Sequence, residues 1–174
     1  PVSAAFPIAV GDNDAVWTAT KQTKYLDSYG STQAGLTAAL ADIGSVTATE
    51  LKITNALTVS ATTVIPPNIL VKFEGNGLAS ISSGQTLTIG RMADVGNRQV
   101  FTGTGSVRFS SGAVEAMNVF WWTGGTTAGT NRITASINQI IASATANGGG
   151  VMYIPQGTWT TTGNHAVCNN LIIK

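Results

Sequence analysis

One order of elements occurs twice in this chain: an amphipathic helix followed by several short strand-like pieces. The first helix is predicted over Ser31–Ile43, where Ser31 or Thr32 can cap the first turn and Gly44 can end the last. The second is predicted over Arg132–Thr145, whose isoleucines recur at spacings of three and four. Helices this short are not stable alone in water, so each must pack against an apolar surface.

The pieces after the first helix are rich in β-branched residues, and turn-forming residues such as Pro66-Pro67-Asn68 and Gly75-Asn76-Gly77 separate them. They are predicted at 51–53, 57–59, 63–65, 69–73, 78–81, 86–89, 99–101 and 107–109. The order returns after the second helix, where residues 170–174 align with residues 68–72 at an offset of 102. Such self-similarity indicates an architecture built from one recurring unit.

Two architectures are compatible with short strands and frequent turns. An antiparallel sandwich is expected to use two-residue Asn-Gly or Asp-Gly hairpins. Here the two Asn-Gly pairs, at 76–77 and 147–148, lie in longer glycine-rich turns. A parallel solenoid favours very short strands with β-branched interiors, and a helix laid across its open end would cover unpaired backbone groups. We therefore predict an all-β fold of parallel β-solenoid segments, each preceded by a short capping α-helix.

Composition excludes several classes of protein. The 174 residues include nine Lys and Arg against eight Asp and Glu, and a net charge of +1 does not suit nucleic-acid binding. With 43% hydrophobic and only 10% charged residues, the chain is not a solvated disordered polymer. No apolar run approaches the ~18 residues of a membrane span, so no membrane insertion is expected. The lone Cys168 has no internal disulfide partner.

Residues 131–160, NRITASINQIIASATANGGGVMYIPQGTWT, resemble the entry of right-handed parallel β-helices of the pectate-lyase-like superfamily. In that family a capping helix leads through a glycine-rich turn into a strand of the form V-x-[YF]-[IL]-P-x-G-x-[YW]. Residues 64–122 resemble, less specifically, the segment that often precedes this entry in bacteriophage tail fibre and tailspike proteins. One departure is TGGTTAGTN at 123–131, which has none of the acidic residues that family members commonly carry there.

The resemblance implies a right-handed parallel β-helix and three regions. Residues 1–30 would form an irregular N-terminal arm that docks on the virion. Residues 31–116 would hold the first capping helix and a short β-helix. Residues 117–174 would hold the second capping helix and the start of a longer β-helix, which is truncated because the chain stops within a strand-like piece. We therefore expect a longer parent protein.

The function implied by the resemblance is that of a structural virion component. The chain would be the virion-proximal part of a phage tail fibre or tailspike, positioning a downstream receptor-binding or depolymerase region. The expected partners are two further copies in a homotrimer, other tail proteins through the arm, and host surface polysaccharide through residues beyond 174. The alternatives are a secreted bacterial polysaccharide lyase or hydrolase with catalytic rungs beyond residue 174, and an adhesin-like carbohydrate-binding module.

Aromatic residues supply the candidate interaction sites. Phe120, Trp121 and Trp122, together with Trp159, are predicted to pack at the junction of the two segments or between subunits, because such side chains bury large apolar areas. Stacking on sugar rings is the alternative. In the arm, three further aromatics are candidates for docking on the virion: Trp17, Tyr25 and Tyr29.

We predict no catalytic, cofactor or metal site within these residues. Glu50 and Glu74 are interpreted as solvated ends of strands and not as the carboxylate pair of a glycosidase. His165 and Cys168 are too few for a four-ligand zinc site within one chain. Whether the parent protein is an enzyme would depend on residues beyond 174.

Overall fold

The computed structural model describes residues 22–123, 132–157, 161, 165 and 169–174. Twelve strands and three α-helices lie within these ranges. The strands are β1 (Gln22–Tyr25), β2 (Thr49–Ile53), β3 (Ala56–Val59), β4 (Thr63–Ile65), β5 (Ile69–Phe73), β6 (Leu78–Ile81), β7 (Thr86–Ile89), β8 (Phe101–Gly103), β9 (Ser106–Phe109), β10 (Met117–Asn118), β11 (Gly150–Tyr153) and β12 (Leu171–Ile173). The helices are α1 (Gln33–Ile43), α2 (Phe120–Thr123) and α3 (Arg132–Asn147), and a 3-10 turn spans Leu26–Tyr29.

The strands form four sheets of three strands each, in the orders β1-β2-β5, β3-β6-β8, β4-β7-β9 and β10-β11-β12. Every strand pair in the described residues is parallel. A parallel pair needs a long crossover connection, which is usually a helix. Helix α1 lies in the connection between β1 and β2, and α3 lies in the connection between β10 and β11.

The prediction of an all-β, right-handed parallel β-helix is wrong. The described chain is a mixed structure of small parallel sheets and helices, and no solenoid stacking joins the four sheets across the described ranges. The sequence pattern predicts short strands and turns, but it does not predict which strands share a sheet. In two of the four sheets, the helices that were interpreted as lids form the crossovers between paired strands.

The repeated order found in the sequence is present in the structure. In the first sheet a strand, a helix and two further strands give β1, α1, β2 and β5, and Thr49 pairs with Ile69. In the fourth sheet the same order gives β10, α3, β11 and β12, and Gly150 pairs with Leu171. The paired residues are 20 positions apart in the sequence in the first sheet and 21 positions apart in the fourth. The connections between these paired strands are therefore of nearly equal length.

Helix α1 ends at Ile43 as the sequence predicts and begins at Gln33, two residues after the predicted start, with Thr32 of the two candidate residues as its cap. The Thr32 hydroxyl accepts a hydrogen bond from the Gly35 amide at 3.3 Å, which satisfies one of the donors left open at a helix start. Gly44 ends the helix with φ near 70°, a conformation that glycine adopts without a steric penalty. Leu36 and Ala39, on the predicted apolar stripe, are fully buried.

One hydrophobic core runs through the described residues, from Leu26 in the 3-10 turn to Met152 in β11. Most strands of the second and third sheets alternate buried and more exposed positions; in β7, for example, Leu87 and Ile89 are buried. That alternation follows from the two-residue period of side chains along a strand. No helix in the described ranges is both long enough and apolar enough to span a bilayer.

Candidate functional site

An aromatic cluster lies where β5, β8 and β9 meet the short helix α2. The Phe101 ring lies at its centre, 5.5 Å from Phe73, 6.0 Å from Phe109 and 5.3 Å from Trp122, measured between ring centroids. Trp121 approaches Phe109 at 5.7 Å with its ring plane inclined by 61°. Edge-to-face contacts of this kind add attraction beyond the apolar area that they bury. The cluster therefore binds α2 to the sheets that precede it.

The three consecutive aromatics predicted for junction or subunit packing differ in exposure. Phe120 and Trp121 are buried, with 6% and 1% of their surface accessible, and Trp122 is half-buried. Two hydrogen bonds hold α2 in place. The Phe120 backbone amide donates to Asn118 Oδ1 at 2.9 Å, and the Trp121 side chain donates from Nε1 to the Gly96 carbonyl at 3.1 Å. A buried Trp121 has no open ring face on which a sugar could stack.

The other aromatic candidates are spread over the chain. Tyr25 is exposed, and its ring lies 5.5 Å from Lys52 Nζ, an arrangement that favours the lysine cation. Tyr29 is half-buried, and its hydroxyl donates to the Asp42 carboxylate. Trp17 and Trp159 lie outside the described residues. The docking role predicted for Trp17, Tyr25 and Tyr29 stays a prediction.

Four charged side chains form an ion-pair cluster on β2, β5 and the residue after β5. Lys52 Nζ lies 3.1 Å from Glu74 and 3.7 Å from Glu50, and Lys72 Nζ lies 3.5 Å and 3.9 Å from the same two carboxylates. The hydrogen bond from Lys52 lowers the pKa of Glu74, and the same bond raises the pKa of Lys52. The interpretation of Glu50 as a solvated strand end is wrong, since only 3% of its surface is exposed.

This cluster is suited to stability more than to acid–base chemistry. A neighbouring lysine favours the ionised form of a carboxylate, whereas a general acid must keep its proton near neutral pH. Lys52 and Lys72 are cross-strand neighbours, and Glu74 lies close to both. The two lysines would repel each other without the intervening carboxylates.

An open cleft of about 600 Å³ lies beside α2, outside the first sheet. Met92, which lines the cleft, forms a parallel β-bridge with Val71 of β5, and β11 contributes Tyr153 to the lining. The residues that line the cleft are Met92, Asp94, Gly96, Asn97, Val114, Glu115, Ala116, Asn118, Trp121, Tyr153 and Lys174. Its volume falls within the range of small-molecule sites.

Hydrogen bonds from Asn118 and Trp121, which also line the cleft, hold the loop formed by residues 94–97. Asn118, which is 5% exposed, donates from Nδ2 to Asn97 Oδ1 at 2.8 Å and to the Gly96 carbonyl at 3.3 Å. Trp121 Nε1 donates to the same carbonyl. Asp94 Oδ1 accepts a bond from the Gly96 amide at 3.0 Å, which closes the loop on itself. Three of these hydrogen bonds therefore tie the loop to β10 and α2.

The sequence patterns do not predict this cleft. Asp94, Asn97 and Glu115 lie outside the strands and helices, where hydrophobic periodicity gives no signal. One signal was available: Asp94 and Glu115 are 21 residues apart, as are Asn97 and Asn118. That spacing is close to the register between paired strands in the first and fourth sheets, so residues 21 apart in neighbouring turns can lie side by side.

The described residues contain no group of three or more His, Cys, Asp and Glu side chains that could hold a metal ion. His165 Nδ1 lies 3.0 Å from Asn138 Oδ1, and Cys168 is outside the described ranges.

Neither a protein-family model nor a curated protein nor a solved structure matches the chain. The resemblance to phage tail proteins therefore depends on the residues quoted above.

Proposed function

We propose that the chain is a structural component of a phage virion, the virion-proximal part of a tail fibre or tailspike. In this role it positions a downstream region that binds the host receptor or degrades surface polysaccharide. The observation that carries the proposal is the succession of two sequence stretches: residues 64–122 resemble the segment that precedes the entry in phage tail fibres and tailspikes, and residues 131–160 follow with a helix, a glycine-rich turn and the segment VMYIP at the spacing of that entry.

Side-chain hydrogen bonds between α3 and β9 support a mechanical role. Gln139 Oε1 accepts from the Val107 amide at 3.2 Å, and Ser143 Oγ accepts from the Phe109 amide at 2.8 Å. Asn147 Nδ2 donates to the Phe109 carbonyl. These contacts join the helix of the fourth sheet to the edge of the third sheet, and a continuous core underlies both. A segment that holds a downstream region in a fixed position needs cross-links of this kind between its sheets.

We further propose that three copies associate. Exposed apolar side chains on one strand support this, because Ile172 and Ile173 are 55% and 56% exposed on β12. Large apolar side chains left exposed on a strand favour association with a partner, and closed symmetry is the usual way in which identical chains cover them.

Two measurements test the proposal. Light scattering after size-exclusion chromatography should give a mass three times that of the 17.8 kDa chain. A monomer at every concentration would contradict the trimer. Sequencing the gene and its neighbours should reveal flanking tail genes. Flanking genes for secretion, with clusters of acidic or basic residues encoded downstream, would favour the secreted polysaccharide lyase or hydrolase instead.

A further inference from the structure

The outward face of the third sheet carries a guanidinium group that no carboxylate of the described residues balances. The registers of β4, β7 and β9 place Val64, Thr88 and Arg108 side by side on this face, because the neighbouring positions along each strand face the core. Arg108 is half-buried, and its Nη1 donates to the Val107 carbonyl at 3.1 Å and to Gln139 Oε1 at 3.3 Å. None of the described acidic side chains forms an ion pair with it.

Partial burial without a counter-charge is unfavourable for this group. Removal from water disfavours a cation, and burial lowers the pKa of Arg108. The planar fork of arginine matches the geometry of a carboxylate, and arginine is enriched at protein interfaces. In the same row Val64 is 61% exposed, so an apolar side chain adjoins the cation. We call the surface formed by Val64, Thr88 and Arg108 the arginine patch.

A carboxylate that lacks a partner lies on another surface of the chain. Among the acidic residues that the structure describes, Glu115 alone has a side chain with neither a hydrogen bond nor an ion pair to a described residue. It is exposed and lines the cleft beside α2 together with Tyr153 and Lys174, but it forms no ion pair with that lysine. Tyr153 is 40% exposed, and Ile172, which is 55% exposed, lies on the same face of the fourth sheet because it pairs with Val151, two residues before Tyr153. We call the surface formed by Glu115, Tyr153 and Ile172 the glutamate patch.

The two patches are complementary in composition. Each combines exposed apolar surface with one charge, and the two charges have opposite signs. In a ring with threefold symmetry, each copy offers one surface to one neighbour and a different surface to the other, so two unlike patches of the same chain meet. We propose that the arginine patch of one copy binds the glutamate patch of the next, with Arg108 donating hydrogen bonds to the Glu115 carboxylate across the interface. This inference rests on the proposed trimer and assigns the contact that forms it.

Charge reversal tests the contact, with the mass in solution measured by sedimentation velocity and light scattering over a range of protein concentrations. Arg108→Glu and Glu115→Arg should each raise the concentration at which half of the trimer dissociates by about tenfold or more, because like charges then meet across the interface. The variant with both substitutions should recover most of the wild-type association, since the ion pair is rebuilt with its polarity reversed. Only residues that contact each other show such recovery.

Circular dichroism and urea midpoints establish that each variant folds, and Glu115→Arg keeps the test valid if Arg108→Glu does not fold, because Glu115 is exposed. The matched control is Arg98→Glu, which makes the same change of charge at a half-buried arginine outside both patches and should leave association unchanged. A trimer that the two single reversals leave intact, or a double variant that associates no better than either of them, would overturn this inference while the proposed trimer stands. A monomeric wild type would contradict the trimer and this contact together.

Discussion

Side chains of α3 form hydrogen bonds with the backbone of strand β9 along its unpaired edge. Strand β9 lies at the edge of its sheet, so the outward amides of Val107 and Phe109 face no neighbouring strand in the part of the chain that the structure describes. Gln139 and Ser143, four residues apart on one face of α3, accept these two amides as a neighbouring strand would. Phe109 and Ser143 are only 2% and 1% exposed, so water cannot readily replace the serine hydroxyl.

We predict that Ser143→Ala lowers the free energy of unfolding by about 1–3 kcal/mol. The substitution leaves the buried Phe109 amide without its acceptor. The cost of an unsatisfied buried donor exceeds the net value of the bond itself, because the amide has lost water and gained nothing. Alanine recovers a few tenths of a kcal/mol through its better helix propensity, which reduces the net loss slightly.

The assay is urea unfolding followed by tryptophan fluorescence and circular dichroism. The matched control is Ser136→Ala, because Ser136 is a fully buried serine of the same helix whose hydroxyl has no hydrogen-bond partner among the described residues. The control should not lower the free energy of unfolding by more than about 0.5 kcal/mol, while the urea dependence of both variants stays that of the wild type. Amide exchange at Phe109 should accelerate in Ser143→Ala alone. Equal stabilities of the two variants would refute the edge-covering role of α3.

Three further perturbations follow. Gly35→Ala should destabilise the protein by about 1–3 kcal/mol in urea unfolding although alanine favours helices, because its Cβ would lie 1.9 Å from the Gly30 carbonyl oxygen. Phe101→Ala should cost about 3–5 kcal/mol in the same assay, since it removes the central ring of the aromatic cluster. Glu74→Gln should reduce the loss of stability in acid: the pKa of Glu74 is lowered mainly by Lys52, so its contribution is present above the unfolded-state pKa and disappears as pH falls through the lower folded-state value.

A matched control variant separates each of these effects from a general loss of stability. Ala38→Gly, on the exposed face of α1, should cost about 1 kcal/mol by propensity alone, and a stabilised Gly35→Ala would show that the backbone contact yields easily. Leu78→Ala, at a half-buried strand position, should cost less than Phe101→Ala, and an equal cost would contradict the central place of Phe101. Glu115→Gln removes a carboxylate without an ion pair in the described residues. If its urea midpoints between pH 3 and 7 matched those of Glu74→Gln, the ion-pair explanation would be wrong.

Local chemistry predicted local structure well. The cap at Thr32 and the glycine at position 44 set the ends of α1 because each acts through backbone atoms only a few residues away. The absence of tight hairpins correctly indicated parallel pairing, since a parallel strand must be reached by a long connection. These inferences needed no knowledge of which distant residues meet.

The fold class was wrong because it depends on distant pairings. Strand β3 pairs with β6, and β6 pairs in turn with β8, where the sheet ends after three strands, as do the other three sheets of the described residues. A strand of three to five residues carries too few side chains to encode its partner by pattern alone. The helices were assigned to the ends of a solenoid, whereas they lie in the crossovers between parallel strands.

The burial of Glu50 shows the same limit at the level of one side chain. On sequence, a glutamate beside a strand is expected to reach water. In the structure the carboxylate lies near Lys52, two residues further along β2 on the same face, and near Lys72, which the register of β5 places beside Lys52. A buried carboxylate is tolerable only beside such cations, so its position is set by the pairing of strands that lie 20 residues apart. Replacing both lysines by methionine should therefore destabilise the protein more than replacing Glu50 and both lysines together, because only the first change leaves a buried charge without its cations. Urea unfolding of the two variants at neutral pH measures the difference, and the reverse order would show that Glu50 does not need the lysines.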